Sequence, residues 1–113
     1  MALTIQKAAD ALRDYALAMP GAKEEFPWGD RVVKVNKKIF AFLGRKDGVD
    51  DGLRLCVKLP KSGAEALKLS FTEPAGYGMG KHGWVGVHIL PGDELPVEML
   101  KEWIEESYRA IAP

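Results

Sequence analysis

The sequence predicts an α+β fold: an antiparallel β-sheet with N- and C-terminal amphipathic helices packed on it, plus one short internal helix. Three observations carry this. Apolar residues recur at helical spacing near both ends of the chain. Between them, "LRLCVKL" and "WVGVHIL" alternate apolar and polar residues with a period of two, the pattern of a sheet with one dry face. The strand-like segments are grouped and linked by short polar turns, as antiparallel hairpins are. At 113 residues, the chain is expected to form a single domain spanning 1–113, large enough to bury a core without disulfide or metal staples.

Ile5, Ala8, Ala9, Leu12, Ala16 and Met19 form one apolar stripe on a first helix, with Thr4 as N-cap and Pro20–Gly21 as the stop. "KEEFPWGD" reads as a short extended segment entering a turn around Trp28. "RVVKVNKKIFAFL" reads as two strands joined at Asn36–Lys37, because Asn tolerates the positive φ that a two-residue hairpin demands. "GRKDGVDDG" is a polar loop leading to the clearest strand, with Leu53, Leu55, Val57 and Leu59 on its dry face and Arg54, Cys56 and Lys58 on its wet one. Ser62, three residues before Glu65, fits a capping box, and the helix it opens is expected to run two to three turns to about Ser70. A strand follows with Val85, Val87 and Ile89 inward and Trp84, Gly86 and His88 outward. Val97, Leu100, Ile104, Tyr108 and Ile111 mark the last helix.

Net charge is zero, but its distribution is uneven. Residues 31–82 hold eleven basic and five acidic side chains, whereas 93–113 hold two and six. The middle of the chain can therefore present a positive face, the footprint by which proteins attract nucleic acid. The single cysteine, Cys56, suits a reducing compartment, and no apolar run reaches the ~20 residues of a membrane span, so the expected localisation is cytoplasmic and membrane is not an expected partner.

The most specialised stretch is "GYGMGKHGWVGV", residues 76–87. Gly78, Gly80 and Gly83 satisfy G-x-G-x-x-G, but a strand follows them where a dinucleotide site needs a helix, and Lys81 precedes His82 where a phosphate loop needs Ser or Thr. One Cys and two His give no metal spacing. No nucleophile elbow is present, and Glu24 and Glu25 are adjacent, pointing to opposite faces of an extended segment. The sequence thus nominates no catalytic residue, no metal ligand and no cofactor. What remains is a flexible backbone beside a cation and aromatics, chemistry suited to phosphate contact and stacking.

"FPWGDRVVKVNKKIFAFL", then "GYGMGKHGWVGV", then "LKEWIEESYRAI" resemble the MmcQ/YjbR group of small bacterial proteins over nearly the whole chain. The resemblance implies a CyaY-like (frataxin-like) arrangement and a DNA-binding role through a "double-wing" of projecting hairpins. Many members have Asn before the lysine and His directly before the tryptophan; here Gly80 and Gly83 stand there and His82 is shifted by one. Iron binding is not carried over, since the first helix offers only Asp10 and Asp14 beside two basic residues.

Two functions follow as expectations. The first is a non-enzymatic DNA-binding protein whose Arg31, Lys34, Lys37, Lys38, Arg45, Lys46 and Lys81 contact the phosphate backbone. The second is a module binding a small anion or a protein partner in a pocket lined by Trp28, Tyr77, Lys81, His82 and Trp84. A monomer is expected in either case.

Overall fold

The structure, a computed structural model, describes residues 4–45, 52–76, 79–90 and 92–112. Its elements run α1 (Ile5–Leu17), β1 (Lys23–Glu25), β2 (Asp30–Val35), β3 (Lys38–Arg45), β4 (Leu53–Lys58), α2 (Gly63–Ala66), β5 (Thr72–Pro74), β6 (Trp84–Ile89) and α3 (Val97–Ile111). Single 3-10 turns at Pro27–Gly29 and Met79–His82 precede β2 and β6. The strands form one six-stranded sheet in the order β1-β2-β3-β4-β6-β5, every neighbouring pair antiparallel. This is the α+β fold the periodicities predict; β1 lies in the segment read as extended, and β5 is a strand they do not reveal.

Local chemistry accounts for the long elements. The Lys7 N–H donates to Thr4 Oγ1 at 3.1 Å, so the expected N-cap is in place. Asn36 and Lys37 lie at φ 51° and 67°, the left-handed pair that a type I′ hairpin between β2 and β3 requires. The dry residues of β4 and β6 pair directly, Leu53 with Ile89, Leu55 with Val87 and Val57 with Val85. With Val33, Val35 and Ala41 they meet Ala8, Leu12 and Ala16 of α1 and Leu100, Trp103 and Ile104 of α3, making one core between sheet and helices. Among the described residues, no helix lies on the other face of the sheet.

Two expectations about the internal helix are corrected. It ends at Ala66, one turn long, because the Lys68 and Leu69 N–H groups donate to Glu65 O and Ala66 O in 3-10-type bonds that turn the chain toward β5. Ser62 also makes no capping bond with its side chain. Its hydroxyl donates instead to Glu106 Oε1 at 2.6 Å, while the Lys61 and Ser62 N–H groups donate to Glu106 Oε2 at 2.8 and 3.0 Å. A carboxylate from α3 outcompetes Glu65, which remains exposed and pairs with Lys68.

The C-terminal end of α3 also ties down the turn after α1 and the β2–β3 hairpin. Tyr108 donates its hydroxyl to Pro20 O at 2.6 Å, and Asn36 Nδ2 donates to Ala112 O. Phe40 stacks edge-on against Tyr108, with ring centroids 5.2 Å apart.

Candidate functional site

Strand register decides which cations can act together. The β2–β3 turn carries Lys37 and Lys38. Lys58 is the last residue of β4 and pairs with Trp84, the first of β6, and the Leu59 N–H donates to Gly83 O at 2.8 Å. Lys81 and His82 immediately precede that point. All four lysines therefore lie at one end of the sheet. From β3 to β6 is two strand spacings, about 10 Å, comparable with the about 12 Å width of a B-DNA major groove. Lys37, Lys38, Lys81 and His82 are exposed and Lys58 is half-buried; none makes an ion pair with another of the described residues.

The remaining nominated cations sit elsewhere. Arg31 Nε lies 3.3 Å from Glu24 Oε2, and Lys34 Nζ lies 3.1 Å from Glu25 Oε1. Both pairs stitch the short edge strand β1 to β2. Arg31 also lies over the Phe26 ring, 5.6 Å from its centroid. The backbone of Arg45 pairs with Asp30, at the end of the sheet opposite the Lys37 turn. The Arg45 side chain and the whole of Lys46 lie outside the described residues.

The glycine segment divides into structural and exposed parts. A Cβ on Gly80 would fall 2.8 Å from Pro74 Cβ and 3.1 Å from Ala75 O, so only glycine lets this turn close against the end of β5. Gly83, at φ +89°, then redirects the chain into β6. These two glycines make the corner, and the corner holds Lys81 and His82 outward. Trp84 is half-buried and meets Phe42 edge-on at 5.7 Å. Tyr77 and the side chain of Trp28 lie outside the described residues.

The helix-free face of the sheet carries a groove of about 620 Å³. One row of residues crosses it: Val32, Phe42, Cys56, Gly86 and Glu73 are partners in successive strand pairs. The two smallest, Cys56 and Gly86, stand opposite each other at its centre, and the depression lies over them. Arg54 and His88, also direct partners, line one end together with Asp30. Of the glycine segment, Gly76, Gly86 and Val87 line the groove. Lys81, His82 and Trp84 do not. Burial pushes the Cys56 thiol up to about 11, so it is protonated at neutral pH and is no nucleophile. Among the described residues, no group of three or more His, Cys, Asp or Glu is placed to hold a metal ion. No helix among them is long and apolar enough to cross a membrane.

The YjbR family model matches residues 17–110. Solved structures are similar, two of which follow. The first is the Deinococcus radiodurans protein DR2400, described by the family-model domain DUF419, at 28% identity and a TM-score of 0.71, over 91% of this chain and 79% of that one. The second is a structural-genomics target from Pseudomonas syringae, which shares the fold at 24% identity and a TM-score of 0.65, over 89% of this chain and 96% of its own. No curated protein matches the chain.

Proposed function

The chain belongs to the YjbR family, and from that premise we propose that it binds DNA without catalysing a reaction on it, holding the phosphate backbone with the lysine-bearing end of its sheet. The observation that supports this reading is the clustering of Lys37, Lys38, Lys58 and Lys81 at one end of the sheet with no carboxylate among the described residues bound to any of them. A zero net charge rules out attraction by the molecule as a whole, so affinity has to come from such a local cluster. The β2–β3 hairpin acts as the projecting wing. The corner at Gly80 and Gly83 supplies Lys81 from a second element. Arg31 and Lys34 contribute less, since their charge is already matched by Glu24 and Glu25. Contacts of this kind set affinity and register on the duplex and carry little sequence information.

The test is charge reversal at a distance from the core. Lys37→Glu, Lys38→Glu and Lys81→Glu combined should abolish duplex binding at about 50 mM salt and leave the melting temperature nearly unchanged. The control, Lys7→Glu with Lys68→Glu, changes exposed cations that are not among these four lysines and should bind like the parent. Equal binding by the two variants would refute the reading.

A further inference from the structure

The groove on the helix-free face begins one row of side chains inside the lysine-bearing end of the sheet. Val57 and Val85 point into the core, so their neighbours in sequence, Lys58 with Trp84 and Cys56 with Gly86, form two successive rows on the opposite face. The Cys56–Gly86 row floors the groove, where two small residues leave room for a flat ring, with Phe42 on one flank and Phe71 on the β5 side. The Lys58–Trp84 row borders the corner that carries Lys81, since a Cβ on Gly83 would fall 4.0 Å from Lys58 Cγ. Across Gly86 on β5 stands Glu73. A Cβ on Gly86 would lie 3.9 Å from Glu73 Cγ, so this side chain leans over the floor. It is exposed and makes no ion pair with another described residue. Arg54, His88 and Asp30, which also line the groove, are already engaged with neighbours and supply no contact here.

Free cations and a free carboxylate thus stand at opposite corners of an apolar floor. From Lys58 to Glu73 is two strand spacings across and two residues along, about 12 Å. One nucleotide covers such a span from its phosphate to the far edge of its base. We propose, resting on the DNA-binding reading, that the groove takes up the base of an unpaired nucleotide whose phosphate is held by Lys58 and Lys81, and that Glu73 selects guanine. Any base has a π-face to set against Phe42. Guanine presents two adjacent donors, N1–H and N2–H, which a carboxylate accepts as a bidentate pair. Thymine presents a single N–H between two carbonyl oxygens, which a carboxylate repels. A fully paired duplex keeps its bases stacked and engages the lysines alone.

Four DNAs test this in fluorescence anisotropy with the full chain at about 50 mM salt: a blunt duplex, and the same duplex with a one-nucleotide overhang of dG, dT or an abasic sugar. The dG overhang should bind about tenfold tighter than the dT overhang, the worth of one bidentate contact. The abasic overhang should bind like the blunt duplex. Glu73→Gln should bring dG down to the dT level, and Gly86→Val should fill the groove and bring every overhang down to the blunt level. Both variants should keep the parent's melting temperature and its affinity for the blunt duplex. Glu73 is exposed, and a Cβ at Gly86 meets only Glu73 O at 3.6 Å and Glu73 Cγ at 3.9 Å, in a strand, where valine is favoured. Equal affinity for the dG and dT overhangs, or parent-like discrimination by Glu73→Gln or Gly86→Val, would overturn this inference and leave the DNA-binding reading standing. Binding to none of the four DNAs would overturn both.

Discussion

Ser107 fills a gap between β3 and β4. These strands pair at Ala41 with Val57 and at Phe42 with Cys56. The next pair in register would be Phe40 with Lys58, and there the Ser107 hydroxyl is interposed. It donates to Phe40 O and accepts from the Lys58 N–H at 2.9 Å. The residue is wholly buried, so neither backbone group has water as an alternative. Ser107→Ala strands both, and should destabilise the protein by about 1–3 kcal/mol in a denaturant titration; a change within error would mean the strands can close on each other. Glu106, its neighbour, works on the loop after β4. Burial raises its carboxyl, but bonds from the Ser62 hydroxyl and the Ser62 and Lys61 N–H groups outweigh this and leave it below the ordinary value of 4.5. A depressed carboxyl adds stability that is fully present above that ordinary value and is lost as pH falls through the folded one. Glu106→Gln should therefore be less stable at pH 7, and the difference from the parent should shrink between about pH 5 and pH 3. A gap that stays constant over that range would contradict the assignment. Neither residue was legible from sequence. A serine on the apolar face of a helix looks like a flaw in the stripe until the strands it bridges are known, and the capping-box spacing at Ser62 hid a partner 44 positions away.

At the scale of elements, propensity identified what was long and regular. Thr4, the alternation in β4 and β6, and Asn36 each carry a local physical reason that tertiary contacts did not overturn. β5 escaped, and β1 was legible only as a short extended segment, because each has three residues with few strand formers, Lys-Glu-Glu and Thr-Glu-Pro. They exist through pairing with β2 and β6, which a local pattern does not record. The hairpin offers the sharpest test at this scale. Lys37 holds a left-handed conformation at φ 67°, which costs a non-glycine residue about 1 kcal/mol, and Asn-Gly is the preferred pair for such a turn. Lys37→Gly should raise the melting temperature and at the same time reduce the steepness of the salt dependence of DNA binding by about 0.9. Opposite movement of stability and binding is the signature of a residue retained for its charge. A fall in both would place Lys37 in the fold alone.

Over the whole molecule, the two faces of the sheet divide the work. One is committed to α1 and α3 and holds the core. The other, free of helices among the described residues, carries the groove, and the lysines gather at the sheet's end. The excess of cations in residues 31–82 was visible at once. Which of them stand together was not, because that depends on the strand order, in which β6 comes between β4 and β5. The groove had a faint sequence signal: Cys56 and Gly86 are small residues at the middle of the wet face of their strands, where larger polar side chains flank them. Only the pairing of β4 with β6 brings those two positions together. The measurement closest to the central claim is the affinity of the full chain for a mixed-sequence DNA duplex across a salt series. With four lysines engaged, log K should fall against log salt with a slope of about −3.6. Absence of binding at about 50 mM salt, or an affinity indifferent to salt, would contradict it.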